Sequence, residues 1–140
     1  MDLKPKVYLA GYAYAFEYRD YVKENYSEYF NLHDPIYEED LSVPFEQLDY
    51  EKIVNKDKKA ILSSDIFVAY IGEKGCTFGT AMEIIFAHSN GKPVYIIDET
   101  GKYKHDVWLK YHTTKYPFFE NINECFKYIL EVNKDARIIF

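Results

Sequence analysis

Short, unbroken apolar runs alternate along this chain with longer stretches whose apolar residues recur at helical spacing. Val7-Tyr8-Leu9-Ala10, stopped by Gly11, predicts a strand, and Phe16 to Tyr29 predicts the helix that follows it. Tyr29 to His33 reads as a second short strand broken by Asp34-Pro35, because proline cannot donate to a sheet ladder and pushes its predecessor out of helical geometry. Ile36 to Gln47 is acidic, contains Pro44 and is expected to be a loop over one end of the fold. Leu48 to Ser63 suits a helix with Lys52, Lys56, Lys58 and Lys59 on its outer face. Asp65 to Ile71 carries six consecutive apolar residues, the habit of a strand covered on both faces. A Gly-rich loop, Gly72 to Phe78, then leads into a helix over Gly79 to Asn90, ended by Gly91-Lys92-Pro93. Pro93 to Asp98 is another apolar strand, Asp106 to Tyr111 a helical turn or two, Tyr116 to Phe119 a short edge strand and Asn121 to Asn133 an amphipathic helix. The apolar end, Ala136 to Phe140, is suited to docking on the sheet edge or on another chain.

Strands buried on both faces and alternating with helices predict a doubly wound α/β fold built on a parallel sheet, with residues 1–140 forming one domain. In such sheets ligands bind beyond the carboxyl ends of the strands, which directs attention to the loops after Ala10, His33, Ile71 and Ile97. Composition narrows the field further. Seventeen Lys+Arg against 23 Asp+Glu give a net charge of −6, a poor balance for neutralising a nucleic-acid polymer, though a small nucleotide needs only a few N–H groups. No apolar run approaches the roughly 18 residues of a membrane span. Two cysteines, Cys76 and Cys125, form no metal-ligand pattern, and Met1-Asp2-Leu3-Lys4 runs straight into a strand, so a reduced cytoplasmic setting is expected. The 15 tyrosines and 10 phenylalanines either line a site for a flat ligand or reflect biased codon usage.

Candidate chemistry concentrates in the loop after the third strand. Gly72, Gly75 and Gly79 surround Thr77 and lead into a helix whose first turn holds Glu83. A carboxylate there, among unpaired N–H groups at the positive end of the dipole, is expected to stay ionised at neutral pH and can serve as a nucleophile. A first-turn acid without chemistry is the other reading, set against the apolar neighbours Met82, Ile84, Ile85 and Phe86, which make a lone buried charge costly. Asp57, eight residues before Asp65, stands either as a solvated member of a lysine-rich run or as a second carboxylate near Glu83. Paired carboxylates in one cleft are the minimal apparatus for cleaving a glycosidic bond. Tyr8 packs in the core by pattern, and its hydroxyl is placed to reach a carboxylate at the neighbouring strand's end. Asp65 reads as structural. The three-glycine dinucleotide fingerprint and the phosphate-loop lysine are both lacking, and His33, His88, His105 and His112 show no ligand spacing, so neither a metal nor an organic cofactor is expected.

These pieces, in order, resemble the nucleoside 2-deoxyribosyltransferase superfamily: Val7-Tyr8-Leu9-Ala10-Gly11, Asp57 with Ile61 to Ile71, Gly79-Thr80-Ala81-Met82-Glu83, and Ala87 with Gly91-Lys92-Pro93-Val94. The resemblance covers roughly residues 6 to 98. It implies a flavodoxin-like, Rossmann-like three-layer sandwich and gives roles to the candidates. Glu83 would attack the anomeric carbon of a deoxyribose, forming a covalent sugar-enzyme intermediate; Asp57 would pass a proton to the leaving base; Tyr8 would orient Glu83. Transferases of the superfamily hand the sugar to a second nucleobase, and related hydrolases acting on deoxynucleoside 5′-monophosphates hand it to water. Gly11, Tyr12, Thr77 and Gly79 would contact substrate, with Arg19 as the cation near the first loop and Thr114 offering a hydroxyl from a neighbouring subunit of a homodimer or larger oligomer. Thr77, where the transferases carry an aspartate and the hydrolases a serine, favours a 5′-phosphate; the aromatic loop Tyr12 to Glu17, which lacks a Gly/Arg-rich phosphate-binding stretch, favours an uncharged nucleoside. A non-catalytic nucleotide-binding or sensing module is the reading from a different class.

Overall fold

A computed structural model describes residues 4–36 and 42–138. Met1 to Leu3, the interior of the predicted loop between Ile36 and Gln47 and the last two residues of the apolar end lie outside them. The elements follow in the order β1 (Lys6–Gly11), α1 (Phe16–Tyr26), β2 (Asn31–His33), α2 (Tyr50–Ser63), β3 (Ile66–Ile71), α3 (Phe78–Ser89), β4 (Val94–Asp98), α4 (Val107–His112) and α5 (Ile122–Ile138), with a 3-10 turn at Phe45–Gln47. The four strands form one parallel sheet in the order β2-β1-β3-β4. Phe119 continues it by one parallel bridge to Ile97, so the predicted edge strand over Tyr116 to Phe119 is reduced to a single pairing residue.

Alternation along the strands builds the layers, since successive side chains point to opposite faces. Val7 and Leu9 of β1, Ile66 and Val68 of β3 and Ile97 of β4 pack with Tyr18, Val22 and Tyr26 of α1 and Cys125, Phe126 and Ile129 of α5. Tyr8 and Ala10, Phe67 and Ala69, and Val94 and Ile96 turn the other way, onto Ile61 of α2, Ile84 and Ala87 of α3 and Leu109 of α4. The result is a helix-sheet-helix sandwich of flavodoxin-like form, with its switch in strand order between β1 and β3.

Local chemistry sets the element ends. Asp49 caps α2 by accepting from the Lys52 N–H at 3.1 Å, and Thr77 caps α3 by accepting from the Thr80 N–H at 3.3 Å. α1 stops at Tyr26 rather than Tyr29, since Phe30 turns into the core against Phe126. No helix among the described residues is long and apolar enough to cross a membrane.

Candidate active site

Register along β1 brings the candidate groups together. Tyr8 faces the α2–α3 layer, is wholly buried, and its ring lies between two parallel neighbours, His33 at 5.6 Å and Phe67 at 5.5 Å between centroids. Stacking on both faces leaves the phenol edge aimed at α3, where its hydroxyl donates to Oε2 of Glu83. α2 runs alongside α3 and carries Asp57 to the same place. Asp57 and Glu83 line one groove of about 630 Å³, whose walls include Ile53, Ile61, Met82 and Phe86.

This setting changes the protonation expected from sequence. α3 begins at Phe78, so Glu83 lies in its second turn, beyond the unpaired N–H groups of the helix start. Burial pushes its carboxyl up to about 7; the Tyr8 hydrogen bond pulls it down, the charge of Asp57 pushes it further up, and the more distant Arg19 pulls it down. The group expected to be fully ionised at neutral pH is instead poised between its two forms, because desolvation outweighs the dipole. The Tyr8 phenol is driven the opposite way from a base: burial first, then the charges of Glu83 and Asp57, raise it far above its ordinary value. Tyr8 therefore remains a donor at any physiological pH, and it leaves Oε1 of Glu83 for another partner.

Other predicted site residues fall in varied places. Gly79 lines the same groove, and a β-carbon added there would meet nothing within 4 Å. Gly11 ends β1 with φ +149°, and a β-carbon there would stand 3.0 Å from the Tyr70 carbonyl oxygen, so the chain's path requires glycine. Tyr12 opens a second cavity of about 620 Å³ at the carboxyl ends of β1 and β3. Thr77 sits at the head of α3, where its oxygen is engaged by the Thr80 N–H and lies 3.0 Å from the Thr80 hydroxyl.

Arg19 and Thr114 are each bonded to groups within the chain. Arg19 is 1% exposed and turned inward: Nη1 donates to Asp34 at 2.8 Å and to the Leu9 carbonyl at 3.1 Å, and Nη2 to the Gly11 carbonyl at 3.0 Å. A guanidinium so committed braces the start of the first loop from beneath, and its charge is felt at Glu83 from a distance. Thr114 lies at the amino end of β4, where its hydroxyl accepts from the Val94 N–H at 2.7 Å, the far end of the strand from the loops that carry the candidate site.

Sequence reasoning missed His33, Phe67 and Asp34. In sequence His33 signals only a strand end without ligand spacing and Asp34 only a proline turn, and neither announces a contact with Tyr8 or Arg19. Strand alternation alone contained the signal for Phe67, which shares the face of Tyr8 one strand over. Among the described residues no group of three or more His, Cys, Asp or Glu is arranged to hold a metal ion.

Comparison with solved structures matches this architecture. The 2-deoxyribosyltransferase of Leishmania mexicana superposes with a TM-score of 0.64 at 18% identity, covering 91% of this chain and 97% of its own. The chain has the 2-deoxyribosyltransferase fold. A CMP N-glycosidase of Clostridium botulinum shares it, with a TM-score of 0.58 at 18% identity over 90% of this chain and 98% of that one. So does a conserved protein of Enterococcus faecalis V583, at 25% identity and a TM-score of 0.58 over 67% of this chain; the match spans 63% of that protein's length. No family model and no curated protein matches by sequence. On this fold the groove between α2 and α3 is lined by both Asp57 and Glu83, and Tyr8 donates to Glu83 from the sheet.

Proposed function

We propose that this chain is an enzyme of the nucleoside 2-deoxyribosyltransferase superfamily that breaks the N-glycosidic bond of a 2′-deoxynucleoside through Glu83 and transfers the sugar to another nucleobase. The observation that carries the reading is the convergence of Glu83 and Asp57 on one groove, with the Tyr8 hydroxyl bound to Glu83 from behind. In the first step the ionised Glu83 carboxylate attacks the anomeric carbon, forming a glycosyl ester as the bond to the base nitrogen breaks. The leaving base takes a proton from Asp57, which must enter the step protonated; in the second step the carboxylate of Asp57 accepts the acceptor's proton as the acceptor attacks the same carbon. Tyr8 holds Oε2 of Glu83 so that Oε1 faces the sugar, and its phenol stays protonated throughout because of its burial.

A carboxyl group poised near 7 suits this work. It must be ionised to attack, yet must not be so strongly stabilised as an ion that it loses nucleophilicity. The second reading, hydrolysis of a deoxynucleoside 5′-monophosphate, is favoured by the fold shared with a CMP N-glycosidase and differs in its acceptor, water. Incubation with each deoxynucleoside and deoxynucleotide, with and without a free acceptor base, tests both: chromatography is expected to show base exchange that depends on the acceptor and disappears in Glu83→Ala. Unchanged turnover in that variant removes the mechanism.

A further inference from the structure

We propose that the cavity at the carboxyl ends of β1 and β3 is a second ligand site, which holds a small polyammonium ion on tyrosine rings and carboxylates. It shares no lining residue with the groove of Glu83, so the proposal stands apart from the N-glycosidic reading. Its inner wall belongs to the other side of the sheet: Tyr18 and Tyr70 pack with the α1–α5 core, whereas Tyr8 turns toward α2 and α3. The volume, about 620 Å³, is that of a small-molecule site, which spans roughly 300–1,000 Å³.

Three features give the ligand its character. The first is aromatic. Tyr18 and Tyr70 stack with 4.4 Å between centroids, and the first loop sets Tyr12 against Tyr14 at 5.7 Å and Tyr14 edge-on to Phe16 at 6.0 Å. Gly72 leaves room for the Tyr70 ring, since a β-carbon there would stand 2.9 Å from its Cε1. Ring faces carry negative potential and attract cations. The second feature is charge. Glu17, Glu73 and Glu99 line the cavity with Lys74, and among the described residues none of the three glutamates forms an ion pair. They come from the start of α1, the loop after β3 and the loop after β4, yet all act on the Tyr70 phenol: burial, the hydrogen bond and charge of Glu99, and the charges of Glu17 and Glu73 push it up to about 12. The third feature is an unanswered polar group. Tyr18 lines the cavity and is 2% exposed, and its hydroxyl has no hydrogen-bond partner among the described residues, a costly arrangement for a buried group.

An elongated organic cation answers all three. An anion would add to the repulsion among the carboxylates. The carboxylates are not arranged to hold a metal ion, and a bare ion would leave the rings unused. A single quaternary ammonium suits the rings but has no N–H to donate. An aliphatic chain with two or three ammonium groups lays its methylenes on the rings, places a charge near each carboxylate and has donors for the Tyr18 oxygen.

Calorimetric titration of the full chain with putrescine, spermidine and tetramethylammonium tests this. Spermidine is expected to bind about one per chain with Kd below about 1 mM at low salt, at least ~10-fold more tightly than tetramethylammonium, and to weaken at least ~10-fold in about 0.5 M sodium chloride. The double variant Glu73→Gln, Glu99→Gln is expected to weaken it at least ~10-fold and Tyr12→Ala about threefold. Glu83→Ala, in the other groove, and the double variant Glu51→Gln, Glu131→Gln, which removes the same charge elsewhere, are expected to bind spermidine as the wild type does. The four glutamates of the double variants are exposed, so folding is expected to be retained. Amide shifts of the wild type on adding spermidine, expected to concentrate at Tyr12, Gly72 and Glu73, locate the ligand without any variant. No binding of any amine at about 10 mM, shifts centred on Glu83, or equal losses in the two double variants overturn the site. Tetramethylammonium binding as tightly as spermidine overturns the polyammonium assignment.

Discussion

On the α1 side of β1, Arg19 and Lys23 close on Asp34, whose carboxylate accepts from both at 2.8 Å. On the α2–α3 side, Glu83 has one hydrogen-bond donor, Tyr8, and the like charge of Asp57 nearby. The two acids respond oppositely. Burial raises Asp34, but the Lys23 hydrogen bond, the charge of Arg19 and the Ile36 N–H together hold it below its ordinary value. Burial raises Glu83 too, and what surrounds it leaves the carboxyl at about 7. On the proposed mechanism the difference separates a structural charge from a chemical one: the first is matched by cations until its proton is held only weakly, the second is left under-compensated until it sits near neutral pH.

The sharpest way to break this comparison is to remove each acid in turn. Glu83→Ala is expected to lower base release by at least ~10³-fold, since no other group replaces a lost nucleophile, measured by chromatography of the free base. Asp34→Ala strands Arg19 buried beside an apolar core and is expected to cost about 3 kcal/mol in urea unfolding, as broken buried pairs do. If Asp34 proves dispensable to stability while its loss abolishes turnover, the assignment of the two regions is reversed.

Stability against pH sharpens the contrast. The folded protein holds the Glu83 proton up to about 7 whereas the free carboxyl lets it go near 4.5, so folding is progressively penalised as pH rises between those values. Glu83→Gln keeps an acceptor for Tyr8 and is expected to stabilise the protein above pH 7 by on the order of 3 kcal/mol, and by far less below pH 4, read as the difference in Tm between wild type and variant at each pH. For Asp34, whose carboxyl is held low, the sign is opposite: its contribution is present above the ordinary carboxylate range and lost as pH falls through its lowered value. Asp57→Asn is expected to reduce kcat by about 10²-fold, the usual worth of a general acid. The smallest effect is reserved for Tyr8→Phe. Removing its hydrogen bond takes away a group that lowers Glu83, so the rising limb of kcat/KM, expected near pH 7 in the wild type, should move to higher pH; a limb that stays in place would detach Tyr8 from Glu83.

The two regions were not equally legible beforehand. Glu83 stood out because a charge among Met82, Ile84, Ile85 and Phe86 breaks an apolar pattern, and breaks in a pattern are visible one residue at a time. Arg19 broke no pattern on its partly polar helix, and its partner Asp34, fifteen residues on, looked like half of a proline turn. The same reasoning explains why Arg19 was expected to face a ligand: sequence gives proximity to a loop, whereas inward or outward orientation depends on which carbonyls and carboxylates the fold brings beneath it. Thr114 lies at the amino end of β4, because the chain returns along that strand before the residue is reached.

What the amino-acid order determines here is local and periodic: runs of β-branched and aromatic residues that must be covered on both faces, helical stripes between them, caps at Asp49 and Thr77, and from these a parallel α/β sandwich. What only the tertiary structure decides is electrostatic. Whether Glu83 is an ion or an acid at neutral pH depends on water excluded by α2, on a phenol 75 residues away and on the charge of Asp57, none of which is adjacent to it in the chain. Periodicity is carried by neighbours in sequence, but solvation and Coulomb energy are set by neighbours in space.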